Sequence, residues 1–314
     1  MKISKHILFV LVAGFPFLTF AAGNPFLGAK LYVSPTSNAK HWAEANRATR
    51  PSDAALMDKI ADESLATWFG NWNRDVQSAV NDAVTKATNA GALPVLVAYN
   101  IPWRDCRSYS GGVSASVKAY QRWMRSFASG IGNRKAVVLL EPDALASLDC
   151  LNSTQQQKRL ELIRHAVRVL NGLGGTSVYL DGGHPHWHLP EVMADRLRQA
   201  GVGEVRGFTL NVSNFVSTDI SVSYGNYLSG LLGGKAFIID TSRNGLGSAP
   251  NYEWCNPEGR ALGSQPTTTP SHSLVDALLW VKEPGASDGQ CNGGPAAGVF
   301  WPEYALGLAK RANW

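Results

Sequence analysis

"LPVLVAYN", residues 93–100, runs straight into "IPWRDC", residues 101–106, and the join decides how the chain is read. Leu93 to Ala98 is a short, unbroken apolar run of the kind that forms a strand buried on both faces. Pro102 has no N–H to give a ladder, so the strand ends before it and the chain passes into a loop. That loop collects Tyr99, Arg104, Asp105 and Cys106, groups that cost energy to order.

The pattern recurs along the chain. Strand-like runs are "KLYV" (30–33), "ATWFG" (66–70), "AVVLLEPD" (136–143), "SVYLDGGH" (177–184), "GFTLNVSN" (207–214), "AFIIDTSR" (236–243) and "DALLWVK" (276–282). Between them lie amphipathic stretches such as "RDVQSAVNDAVTKATNAG" (74–91) and "STQQQKRLELIRHAVRVLNGLG" (153–174), the second opening on a Ser/Thr cap signal and closing in glycine. Continuous apolar strands alternating with helices predict a parallel sheet covered by helices, and their number predicts a distorted (β/α) barrel of seven or eight strands. The alternative is an open doubly wound sheet, but no glycine-rich dinucleotide loop follows the first strand.

With 314 residues, 45% apolar and 17% charged, a single large core is expected and disorder is not. Lys2 and Lys5, the apolar "HILFVLVAGFPFLTF" and the small residues of "FAAG" read as a signal peptide over 1–22, leaving 23–314 as one soluble, secreted or periplasmic catalytic barrel. No further binding module and no membrane partner are expected, and the protein reads as a monomer. "GSQPTTTPSHS" (263–273) has linker composition but precedes a strand, so it reads as a surface loop. The formal charge of +5 carries no basic cluster and does not point to nucleic acid. Four cysteines, Cys106, Cys150, Cys255 and Cys291, form no Cys-x-x-Cys pair, so two disulfides are expected, with three pairings open.

Run after run ends in a reactive group: Glu141 and Asp143, Asp181 and His184, Asn211 and Asn214, Asp240 and Arg243, then Lys282 and Asp288. In a parallel barrel these ends converge on the face where barrel enzymes place their sites. One aspartate after a strand is more often a helix cap or turn former, but repetition over five strands is harder to explain that way. Several carboxylates without a metal-ligand motif, together with ten tryptophans, fit glycoside hydrolysis. Trp68, Trp187 and Trp254 lie in or just after strand-end segments and offer flat apolar faces for sugar rings.

"NPFLGAKLYV", "YNIPWRDC", "LLEPDAL", "YLDGGHPHWH", "LNVSN", "IDTSRNG", "NYEWCNP" and "WVKEPGASDG" occur in this order from residue 24 to about 290. In them the chain resembles glycoside hydrolase family 6, which contains endoglucanases and cellobiohydrolases. The resemblance implies inverting hydrolysis of β-1,4-glucan (cellulose and cello-oligosaccharides) without metal or cofactor. It implies Asp143 as general acid, Asp105 as the carboxylate that raises the acid's pKa, and Asp288 as the base or an electrostatic carboxylate. It implies Tyr99 as the residue crowding the sugar and Ser110 as a water holder. Trp68, Trp187 and Trp254 become sugar platforms, and Lys282, Asp181, His184, Asn211 and Asn214 further substrate contacts. Of the three pairings it implies Cys106–Cys150 and Cys255–Cys291. Arg104 is expected to hold a carboxylate with a forked contact. Two departures stand out: Ala286 replaces a frequent glutamate and Ser34 a frequent aspartate.

Two other functions are weighed. His184, His186 and His188 share one face if "HPHWH" is extended, which suggests a metallohydrolase, although its prolines work against that geometry. A catalytically dead sugar-binding protein is the other, opposed by the intact aspartates. Within the family, "DCRSYSGGVSASV" (105–117) and "DGQCNGGPAAGVFWPEYA" (288–305) are too short to roof a cleft, so endo action is expected rather than cellobiose release from chain ends.

Overall fold

The structure is a computed structural model that describes residues 23–104 and 116–314. The signal-peptide reading of 1–22, and Asp105, Cys106 and Ser110, lie outside the described residues. The elements in chain order are α1 (Asn38–Asn46), α2 (Pro51–Ala61), β1 (Thr67–Phe69), α3 (Val76–Asn89), β2 (Val95–Ala98), α4 (Val117–Ile131), β3 (Ala136–Leu140), α5 (Ser153–Asn171), β4 (Thr176–Asp181), α6 (Pro190–Ala200), β5 (Gly207–Leu210), α7 (Thr218–Leu231), β6 (Ala236–Asp240), β7 (Val275–Leu279) and α8 (Pro302–Arg311).

All seven strands pair in parallel, in the order β1 to β7. The sheet curls until its edges approach. Ala66 N donates to Trp280 O at 3.0 Å, and the Trp68 indole donates to Val281 O at 2.8 Å. A single Leu65–Trp280 bridge thus stands where a closed barrel would have a ladder.

Strand alternation divides the buried residues. Val95, Val97, Tyr99, Val137, Leu139, Tyr179, Ile238, Ala277 and Leu279 fill the interior with Phe26. Leu96, Ala98, Val138, Leu140, Val178, Leu180, Phe208, Leu210, Phe237 and Ile239 face the helices. Both faces are apolar, so the central strands β2 and β3 read as unbroken hydrophobic runs, and each fully buried large side chain contributes about 1.5–3 kcal/mol. A third cluster packs α1, α2 and α8 around Trp280.

Seven of the eight expected strands form. "KLYV" does not: Leu31 makes only one bridge, to Leu93. The segment it belongs to instead brings Phe26 against Tyr179 inside the barrel. The cap of α5 is Asn152 rather than Ser153, because Asn152 and Gln155 form a reciprocal capping box. At the end opposite the strand-end loops, Asp276 accepts from Arg206 at 2.7 and 2.8 Å and from the Tyr179 hydroxyl at 2.6 Å. Next to Arg206, Gly207 is required, since a Cβ there would lie 1.7 Å from Ala236 O. The stretch 263–273 is tied to the body, with Thr267 and Leu278 exchanging backbone hydrogen bonds at 2.9 and 3.0 Å. Among the described residues no helix is long and apolar enough to cross a membrane.

Candidate active site

The strands stop where the backbone turns left-handed. Glu141, Asp143, Asn211 and Ser213 have φ of 52°, 67°, 66° and 58°. Such conformations cost residues with a Cβ roughly 1–3 kcal/mol each and persist only where surroundings hold them. Here the N–H groups of Asp143 and Ser213 are held by the carboxylates of Asp181 and Asp240, and those of Glu141 and Asn211 by the carbonyls of Ala98 and Gly183.

Glu141 and Asp143 are not alternates along an extended strand, because both carry positive φ. Glu141 is 1% exposed, and its carboxylate accepts the N–H groups of Asn100 and Ile101 at 3.0 Å each. It ties the β2 loop to β3. Burial pushes its pKa up to about 7, against those N–H groups, which pull it down. Asp143 is partly exposed on the strand-end face. Its backbone N–H donates to Asp181 Oδ2 at 3.0 Å. Asp181 also accepts from Gly183 N at 3.1 Å and from the Thr209 hydroxyl at 2.9 Å. The resemblance makes Asp181 a substrate contact. At 2% exposure, with both oxygens engaged, it holds the Asp143 backbone instead. Burial raises its pKa to about 6.

Asn211, expected as a further substrate contact, is fully buried; its side chain donates to Asp240 O and accepts from Val216 N, so both of its polar groups are engaged by the backbone. The Asn214 side chain accepts from Phe215 N in its own turn. Asp240, fully buried, gathers the N–H groups of Ser213, Ser242, Val281 and Lys282 and so fixes three strand-end loops.

Asp288 sits beyond β7 in a cationic clamp. Its Oδ2 accepts from Arg243 at 2.8 Å and from Asn256 N at 3.0 Å, and its Oδ1 lies 3.1 Å from Lys282 Nζ. Burial works to raise its pKa, but Arg243 and Lys282 outweigh that and hold it below the ordinary carboxylate value. Lys282 therefore serves Asp288 first. The clamp is fixed by the Cys255–Cys291 disulfide, next to Asn256, whose side chain accepts from Asp288 N at 2.8 Å. Cys150 is also disulfide-bonded. Ala286 is 7% exposed and bridges to Phe300, and Ser34 caps a local turn at Thr36.

Tyr99 lies edge-on to Trp68 with ring centroids 5.3 Å apart. Arg104 stacks over Tyr99 at 4.7 Å, donates to Tyr99 O at 2.7 Å and to Asn71 Oδ1 at 2.9 Å. Trp187 and Trp254 present 38% and 46% of their surface. "HPHWH" is a turn rather than an extended segment, closed by Trp187 N on His184 O at 3.0 Å. His186 packs on Tyr252 with centroids 4.2 Å apart, and His188 meets Ala146 O at 2.7 Å. Among the described residues no three potential ligands converge on one metal position. Burial, aided by the other two histidines, lowers the His184 pKa to about 4, so it is neutral at neutral pH.

Arg159 escaped the sequence reading. Fully buried on α5, it donates to Ala144 O at 3.1 Å, Ser147 Oγ at 2.9 Å and Pro102 O at 3.2 Å, and also to Trp103 O. It props the two loops that carry "EPD" and "IPWR". Its signal was there to find: an arginine spaced at helical period with the buried Leu162, Ile163 and Ala166.

The description Glycosyl hydrolases family 6 matches residues 26–312. Endoglucanase A of Cellulomonas fimi is 48% identical over 288 residues, which cover 90% of this chain; this chain spans 61% of that relative's length. Endoglucanase 1 of Streptomyces halstedii is 42% identical, with 92% of this chain and 93% of the relative covered. Among solved structures, the endoglucanase Cel6 from Mycobacterium tuberculosis, bound to methyl-cellobiosyl-4-deoxy-4-thio-β-cellobioside, superposes with a TM-score of 0.87 at 43% identity, covering 91% of this chain and 98% of that one.

Proposed function

The chain belongs to glycosyl hydrolases family 6 and is a glycoside hydrolase; on that premise we propose that it cleaves internal β-1,4 bonds of cellulose and related glucans with inversion. The observation that carries this is the presentation of Asp143, a partly exposed carboxyl whose backbone is held left-handed by Asp181.

In this reading Asp143 protonates the glycosidic oxygen as the C–O bond breaks. Water attacks the anomeric carbon from the opposite face, forms the new C–O bond and releases a proton to the surrounding water, from which the ionised Asp143 is reprotonated for the next turnover. Asp105, the residue after Arg104, keeps Asp143 protonated before the step. Asp288, kept ionised by Arg243 and Lys282, supplies negative charge near the oxocarbenium-like centre rather than a strong base. An inverting pair would stand about 6.5–9.5 Å apart, leaving room for the water. Tyr99 crowds the sugar, Ser110 holds the water, and Trp68, Trp187 and Trp254 carry neighbouring rings, with His184 and Asn214 as polar contacts.

Endo action is supported by the segment after Asp288. It folds onto itself, with Ser287 Oγ donating to Pro295 O at 2.8 Å and Gly298 N to Ser287 O at 2.8 Å. The relatives at 48% and 42% identity carry the name endoglucanase. We also read residues 1–22 as a signal peptide, Cys106–Cys150 as the second disulfide, and the secreted 23–314 as a monomer. Reducing-sugar release from a soluble cellulose derivative, assayed with wild type and Asp143→Asn, tests the reading. Wild-type inactivity would overturn it.

A further inference from the structure

Beyond β1 the chain makes a tight turn, Gly70-Asn71-Trp72-Asn73, closed from both directions. Asn73 N donates to Gly70 O at 3.1 Å, and Gly70 N donates to Asn73 Oδ1 at 3.0 Å. The turn carries Trp72, which is 53% exposed. An indole that open at the strand-end face leaves a broad, flat apolar surface available to a ligand.

Three features fix the ring. The six-membered edge of the Trp72 indole lies against Gly70 so closely that a Cβ there would be 2.3 Å from it. Only glycine lets the indole lie down on the turn. On Arg104, the guanidinium carbon stands 5.7 Å from the Trp72 ring centroid and 4.7 Å from that of Tyr99. The Arg104 guanidinium is in turn anchored to Asn71, inside the same turn, at 2.9 Å. Trp68, Tyr99, Arg104 and Trp72 therefore form one continuous array at the strand-end face. The ring is ordered before any ligand arrives, so little rotamer entropy remains to be lost on binding.

We propose that Trp72 is an additional sugar platform, extending the glucan-binding surface outward from Trp68, and that Gly70 and Arg104 are the residues that position it. The ligand is a further glucosyl unit of the same β-1,4-glucan, stacking its C–H face on the indole. The occupant is set by continuity with the Trp68–Tyr99 site and by the chemistry of a flat, half-open indole. The proposal rests on the glucanase reading and adds to it a dependence on chain length.

The test compares wild type, Trp72→Ala, Trp72→Phe and Gly70→Ala on cellotetraose and cellohexaose. For Trp72→Ala the ratio of kcat/KM on the hexaose to that on the tetraose falls about 3–10-fold, as losing one aromatic contact implies, and the change lies in KM. Trp72→Phe keeps most of the ratio. Gly70→Ala lowers it by lifting the ring off the turn, although Trp72 itself is retained. Equal losses on both substrates, or no loss on either, overturn the proposal. Inactivity of the wild type on both overturns the glucanase reading itself.

Discussion

Asp181 Oδ2 accepts the backbone N–H of Asp143 at 3.0 Å, so the carboxylate ending β4 sets the conformation of a residue just beyond β3. Two strands that neighbour each other in the sheet thus share one polar joint. Asp181→Ala removes the acceptor for Asp143, Gly183 and Thr209 together. The expected result is a loss in kcat on the order of 10²-fold with KM little changed, since a misplaced acid fails in the transition state more than in binding. Steady-state kinetics on a soluble glucan decide; a rise in KM alone would refute the positioning role.

Asp143→Asn is expected to lower turnover by roughly 10²–10⁴-fold. Glu141→Gln should act on stability instead, because its carboxylate faces the backbone of Asn100 and Ile101 rather than the cleft. If Glu141→Gln abolishes turnover in a folded protein while Asp143→Asn retains it, the assignment is reversed.

The raised pKa of Glu141 makes stability depend on pH. Below its ordinary value of 4.5 the group is protonated in both folded and unfolded chains. As pH rises toward about 7, the unfolded chain ionises first and the native state loses relative stability. Asp181 acts in the same direction from 3.8 to about 6. Urea midpoints measured across this range should therefore show these two groups opposing stability, and Glu141→Gln should flatten the part between pH 6 and 7.

Asp288 has the opposite sign. Its folded pKa is depressed by Arg243 and Lys282, so its contribution is present above the ordinary value of 3.8 and is lost as pH falls through the lower folded value. Arg243→Met leaves a buried carboxylate with Lys282 as its remaining cation. It should destabilise the fold by about 3–5 kcal/mol and move the Asp288 titration upward. Chemical denaturation, with NMR titration of the carboxyl carbon, tests both effects. A stable variant with an unmoved titration would show that the clamp is not what keeps Asp288 ionised.

For the reaction itself, viscosity of a soluble cellulose derivative should fall early, before much reducing sugar appears. NMR of the first products should show the α-anomer. Nearly pure cellobiose with unchanged viscosity would indicate chain-end action, and an initial β-anomer would indicate retention.

The sequence alone specified the strands and their covering helices. Runs such as Val95–Ala98 and Ala136–Leu140 are apolar on both faces, and that is a local property any window reveals. It also determined that polar residues gather at strand ends, because a buried run can change character only where it stops. It misjudged "KLYV", whose apolar pattern is strand-like, because whether a segment finds a ladder depends on what lies beside it. Which strand-end groups are committed to the backbone became visible only in the tertiary structure. Asp181, Asn211 and Asp240 look from the sequence like Asp143 and Asp288, yet they are spent on main-chain N–H and C=O groups of neighbouring loops. The left-handed residues Asp143 and Ser213 are held by two of those contacts, from Asp181 and Asp240. They arise between residues tens of positions apart that come together only when the sheet curls. Arg159 and Trp72 belong to the same class: one is an arginine buried to prop two loops, the other a tryptophan laid on a glycine, and neither arrangement exists until the strands are side by side.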